Sequence, residues 1–121
     1  METIINKIKT YWGESPDSYG IIYFFYENKG VCRLCVNEGD NFGTIYGLYV
    51  DEKYRNLGIG ASLIKACEEE LENWNVKYMK IFVNKDVKNK NTLLKYYTSF
   101  GYDMFESSFS DQIGLIKKIN K

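Results

Sequence analysis

The chain has no histidine, a single proline and no net charge, and these shortages narrow what it can do. Without histidine, the nucleophile–base dyads and triads that use imidazole as the base are excluded. Sixteen Lys and Arg residues balance sixteen Asp and Glu residues, leaving no overall field to recruit nucleic acid or a membrane surface. No apolar run approaches the roughly 20 residues of a spanning helix. The segment Met1 to Lys9 lacks the basic start and apolar stretch of a secretory leader, so a cytoplasmic location is expected. Cysteine is scarce as well. Cys32 and Cys35 form a C-x-x-C pair, but zinc would need two further ligands and Cys67 is the only other thiol. The pair sits in a strand-like run where residues three apart point to opposite faces, so no metal site is expected and the thiols are read as packing groups.

What remains is a globular composition. The chain has 121 residues, 45% hydrophobic and 17% aromatic, which argues for one domain over residues 1–121 and against disorder. A chain of this length buries roughly 65% of its unfolded surface.

Apolar residues at 4, 5, 8, 11 and 12 give a short helical period over Ile4 to Trp12, and Gly13 to Ser18 reads as a loop. Gly20 to Tyr26 is a strand buried on both faces, and Glu27 to Gly30 turns it into a hairpin with Val31 to Val36. A second turn follows at Asn37 to Asn41, then a strand over Thr44 to Val50. From Gly58 the period becomes helical, with Ala61, Ile64, Cys67, Leu71 and Trp74 on one face. Lys77 to Val83 is a strand with Met79, Ile81 and Val83 on one side. Thr92 to Phe100 is again helical, stopped by Gly101 at the C′ position. Tyr102 to Phe105 and Gln112 to Ile119 close the fold as strands. This order implies an α/β (α+β) fold, a mixed sheet of about six strands with helices on both faces.

The segment Val50-Asp-Glu-Lys-Tyr-Arg-Asn-Leu-Gly-Ile-Gly-Ala61 joins a strand to the strongest amphipathic helix. Gly58 and Gly60 allow a ligand close to the backbone. The first N–H groups of the helix have no internal acceptors and carry the positive end of its dipole. Phosphate binds well at such a place. The pattern is neither a P-loop nor a dinucleotide fingerprint, since the third glycine of the latter is replaced by Leu63.

Arg55-x-x-Gly58-x-Gly60 resembles the R/Q-x-x-G-x-G/A motif of the GNAT superfamily of N-acetyltransferases. Tyr96-Tyr97-Thr98-Ser99-Phe100-Gly101-Tyr102 is similar to the LYxxxGF ending of that family's last helix. The resemblance runs from about Gly43 to Ile119. It implies the splayed central sheet of the GNAT (acyl-CoA N-acyltransferase) fold and acetyl-CoA as co-substrate. The family's opening strand and two helices are matched poorly, with one short helix and no first strand expected here.

By this resemblance, the backbone of Arg55, Asn56, Leu57, Gly58, Ile59, Gly60 and Ala61 binds the pyrophosphate of coenzyme A. The backbone of Leu48, Tyr49 and Val50 pairs with the pantetheine arm, and the Leu48 N–H stabilises the oxyanion. Tyr97 is the candidate general acid for the departing thiolate, whereas Tyr96, about 100° round the helix, is expected to pack. Asn91 stands in for the family's asparagine ahead of the last helix. Lys85, Lys88 and Lys90 form a basic patch for the 3′-phosphate. No carboxylate lies on the strand over 44–50, and Tyr46, Asp51 and Glu52 are the nearest polar residues to serve as a base.

The implied activity is acetyl transfer from acetyl-CoA to a primary amine by direct attack in a ternary complex. The alternative is a non-catalytic acyl-CoA-binding or interaction domain that kept the cofactor turn. The shortened acceptor half suggests that a second copy of the chain completes the site as a homodimer. No membrane or nucleic-acid partner is implied.

Overall fold

The computed structural model describes residues 5–12, 19–37, 41–55, 57–108 and 110–119; the expected loop Gly13 to Ser18 lies outside them, as do residues 38–40 of the second turn. Four strands lead the chain: β1 (Ile5–Trp12), β2 (Tyr19–Tyr26), β3 (Gly30–Asn37) and β4 (Phe42–Val50). They are followed by α1 (Ile59–Asn73), β5 (Tyr78–Asn84), α2 (Lys90–Thr98), β6 (Asp103–Phe105) and β7 (Gln112–Lys118). The strands form one 7-stranded sheet in the order β1-β2-β3-β4-β5-β7-β6. All neighbouring pairs are antiparallel except β4 and β5.

The first element corrects the sequence reading. Ile5–Trp12 is a strand, antiparallel to the whole of β2, and not a helix. A helix this short has little stability of its own in water. Ile, Thr, Tyr and Trp favour a strand, and β2 offers a full-length partner. The family's first strand is therefore present, and the strand count rises from about six to seven. The expected helices on both faces become, among the described residues, two helices on one face. The crossovers β4–α1–β5 and β5–α2–β6 run toward the same edge, and right-handed crossovers in one direction place their helices on the same side.

Packing agrees with that topology. A Cβ built on Gly43 of β4 would stand 2.6 Å from Leu71 Cδ2, so α1 lies directly on the sheet there. Ile22, Phe24, Cys32, Leu34, Met79, Ile81 and Val83 share one buried cluster with Leu63, Ile64, Cys67 and Leu71 of α1 and Tyr97 of α2. The buried stripe of α1 also takes in Leu63 and Glu70, residues the helical pattern did not mark. Glu70 tolerates burial because its carboxylate accepts a hydrogen bond from Trp74 Nε1–H at 3.1 Å. On the far side of α1, Glu68 accepts from the Tyr102 hydroxyl at 2.9 Å and from Lys117 Nζ at 3.0 Å, tying the helix to β7.

Two local irregularities open the sheet. Arg33 pairs with Gly47 while Leu34 pairs with Ile45, so Tyr46 is an extra residue and β4 bulges there. The parallel ladder between β4 and β5 covers only Phe42–Ile45 against Tyr78–Ile81. Beyond Ile45 the two strands diverge, which leaves one edge of the last part of β4 without a strand partner.

Candidate functional site

The site is built where that divergence meets the start of α1. Asp51 opens the connection: its N–H donates to the Lys29 carbonyl at 2.7 Å, and its carboxylate accepts from the Lys53 N–H at 3.1 Å. A single 3-10 turn, Glu52–Tyr54, follows. Arg55 then folds back, its Nε donating to the Val50 carbonyl at 3.1 Å. Gly58 caps α1 with φ 82°, a left-handed conformation that favours glycine. Its carbonyl accepts from both the N–H and the hydroxyl of Ser62 at 3.0 Å. The N–H groups of Ile59, Gly60 and Ala61 precede that first helical bond, and no side chain caps them. They offer three free donors and the positive end of a helix dipole, a setting that suits an anion.

A cleft of about 560 Å³ runs from this turn along the open edge of β4 to α2. Its β4 wall is Leu48, Tyr49 and Val50, and its floor at the turn is Tyr54, Arg55, Gly58, Ile59, Gly60 and Ala61. The opposite wall is Asn89, Thr92, Leu93, Tyr96 and Tyr97. The structure thus brings Leu48, Tyr49, Val50, Arg55, Gly58, Ile59, Gly60, Ala61 and Tyr97 to one place, as the sequence reading grouped them. Leu57 is 69% exposed and does not line the cleft, and Asn56 lies outside the described residues. Asn91 is exposed and is not among the lining residues, whereas Asn89 is.

Tyr54, Asn89, Thr92, Leu93 and Tyr96 escaped the sequence reading. Four of the α2-side residues carried a legible signal: Leu93 and Tyr97, like Thr92 and Tyr96, are four apart, and such pairs stack on one helical face. The two tyrosines occupy neighbouring rows of a face wide enough for both.

Tyr97 is 6% exposed, and no hydrogen bond engages its hydroxyl among the described residues. Burial, then the nearby Cys32 thiol and Tyr96 phenol, pushes its pKa up to about 12. The phenol is therefore protonated throughout the neutral range. The end of α2 fixes its place. The Tyr102 N–H bonds the Tyr97 carbonyl at 3.4 Å and the Gly101 N–H bonds the Thr98 carbonyl at 3.0 Å, a Schellman ending with Gly101 at φ 93°.

The other candidates lie apart from the cleft. Asp51 is engaged in the turn, Glu52 is exposed, and neither lines the cleft. Tyr46 forms the backbone bulge of β4, and its side chain lies outside the described residues. Lys85 Nζ donates to the Ser110 carbonyl at 2.8 Å, and none of Lys85, Lys88 and Lys90 lines the cleft. Cys32 and Cys35 face opposite sides of β3. Cys32 instead meets Cys67 at 3.7 Å between sulfurs, with the Cys67 thiol pushed well up by burial. Both are core thiols, and no group of three His, Cys, Asp or Glu residues fit to hold a metal occurs among the described residues.

A cleft with an uncapped helix start at one end and an unpaired strand edge along its length suits a long ligand carrying phosphates. The family model described as acetyltransferase (GNAT) family matches residues 5–102. The chain belongs to the GNAT family. Among solved structures, the GNAT domain is similar to the PaiA N-acetyltransferase of Thermoplasma acidophilum in complex with coenzyme A. Identity is 17%, the TM-score 0.66, and the match covers 81% of this chain and 59% of that one. A GNAT family acetyltransferase of Elizabethkingia anophelis with acetyl-CoA bound matches at 18% identity and a TM-score of 0.63, over 84% of this chain and 75% of that one. The ribosomal-protein-S18-alanine N-acetyltransferase of Escherichia coli matches at 16% identity and a TM-score of 0.64, over 89% and 73%. At these identities the likeness establishes the GNAT fold. No curated protein sequence matches the chain. The family model begins at β1, so the match reaches well ahead of Gly43, where the motif resemblance started.

Proposed function

We propose that the chain transfers an acetyl group from acetyl-CoA to a primary amine by direct attack in a ternary complex. One observation carries this reading: the uncapped start of α1, the unpaired edge of β4 and the Tyr97 phenol all face one cleft. The pyrophosphate sits on the N–H groups of Ile59, Gly60 and Ala61, with the Arg55–Ala61 turn around it. The pantetheine arm lies along Leu48, Tyr49 and Val50 as an added strand would. Acetyl-CoA supplies the activated thioester.

The neutral amine attacks the thioester carbon, forming the C–N bond and an oxyanion. The Leu48 N–H donates to that oxyanion. Collapse breaks the C–S bond, and Tyr97 gives its proton to the thiolate, releasing CoA as a thiol. The substrate ammonium loses its proton to water, from which Tyr97 is reprotonated. Among the described residues, no Asp or Glu lines the cleft. An acceptor amine that is already neutral at working pH needs no protein base.

The lack of a carboxylate also favours the second reading, an acyl-CoA-binding domain without turnover. An acetylation assay with free-thiol detection separates the two, run on polyamine, aminoacyl, peptide N-terminal and lysyl amines. The transferase reading predicts turnover on one class, and a kcat lower by about a hundredfold in Tyr97→Phe at unchanged acetyl-CoA affinity. Acetyl-CoA binding with no turnover on any class supports the second reading.

A further inference from the structure

Where the family motif LYxxxGF has leucine, this chain has Tyr96. Leucine offers no polar atom, and a tyrosine there reaches across the cleft to α1. The Tyr96 hydroxyl is the heavy atom nearest the place a Gly60 Cβ would take, at 2.8 Å, with the ring Cζ at 3.7 Å. The ring is held edge-on by Phe100 at 4.8 Å and 87°, and by Tyr97 at 5.6 Å and 68°. Packing, then, sets where the hydroxyl points. No hydrogen bond engages that hydroxyl among the described residues. It stands beside the free N–H groups of Ile59, Gly60 and Ala61, so donors from two different helices converge on one spot.

We propose that Tyr96 is a cofactor-binding residue whose hydroxyl donates to a pyrophosphate oxygen of acetyl-CoA seated at the start of α1. This rests on the cofactor reading of the cleft given above. It assigns the adjacent tyrosines different work: Tyr96 sets affinity, and Tyr97 serves the departing thiolate. Gly60 gains a second reason to be glycine, since any side chain there strikes the Tyr96 hydroxyl before a ligand arrives.

The test is calorimetric titration of wild type, Tyr96→Phe and Tyr97→Phe with acetyl-CoA and with ADP, which has a pyrophosphate but no pantetheine. Tyr96→Phe should weaken both ligands by a similar factor, roughly tenfold for loss of a donor to a charged acceptor. Tyr97→Phe should leave ADP affinity unchanged. Wild-type affinity for acetyl-CoA in Tyr96→Phe overturns the proposal and leaves the cofactor reading standing. Weakening of acetyl-CoA alone places the hydroxyl on the pantetheine arm and overturns the pyrophosphate assignment. Failure of the wild type to bind acetyl-CoA removes both readings together. A ligand-free check is thermal unfolding of Gly60→Ala in both backgrounds. The loss of Tm should be recovered in the double variant with Tyr96→Phe, and additive losses contradict the geometry.

Discussion

At the scale of single residues, the proposed chemistry turns on a tyrosine that the fold keeps protonated. Tyr97 is buried against Cys32 and Tyr96, which lifts its pKa to about 12 from the ordinary value near 10. The sign follows from linkage. Because the folded pKa is raised, the stabilisation is fully present below about pH 10, the unfolded value, and is lost as pH rises through about 12. Thermal unfolding followed from pH 9 to about 12 should show a falling Tm, with a shallower fall in Tyr97→Phe. Tyr102 has its pKa raised as well, by burial and then by the Glu68 carboxylate, so the comparison of variant with wild type isolates Tyr97. An equal slope in both would mean that Tyr97 is not buried as described. A carboxylate base, by contrast, was not legible, and among the described residues none lines the cleft: Asp51 serves the turn and Glu52 faces solvent.

At the scale of elements, the helices and most strands were legible because their apolar periods match their burial. Met79, Ile81 and Val83 alternate on β5 as read, and α1 and α2 lie within two residues of their expected bounds. β1 was not legible. Its apolar residues fit a helical period about as well as a strand, and the deciding partner, β2, is a tertiary fact. The bulge at Tyr46 was hidden for the same reason: register exists only between two strands. Gly101 was legible and is testable. A residue with a Cβ at φ 93° is strained, and the ending it would disturb holds the Tyr97 carbonyl. Gly101→Ala should cost about 1–2 kcal/mol, a drop in Tm of roughly 4 °C or more in a chain this size. Its Cβ would meet only Lys117 carbons and nitrogen at 3.5 Å or beyond, so crowding does not confuse the result. An unchanged Tm would contradict the left-handed ending.

At the scale of the whole molecule, both described helices cover one face of the sheet, and the family match begins at β1. Between β1 and β2 the family has two helices; here only the six residues 13–18 intervene. The other face carries Lys80, with Nζ 3.8 Å from the Phe42 ring centroid and 5.6 Å from that of Phe105. The cofactor half was legible because its demands fall on backbone and glycine, which leave a sequence motif. The acceptor half was not, because amine recognition imposes no comparable pattern. The central claim therefore rests on the turn at Gly58–Ala61, and its most direct test is calorimetric titration with acetyl-CoA of wild type and Gly60→Glu. The variant places a carboxylate where the pyrophosphate should lie, and circular dichroism checks that it is folded. Micromolar-range binding by the wild type, lost by about a hundredfold or more in the variant, is the expected result. No binding by the folded wild type, or undiminished binding by the folded variant, would contradict it.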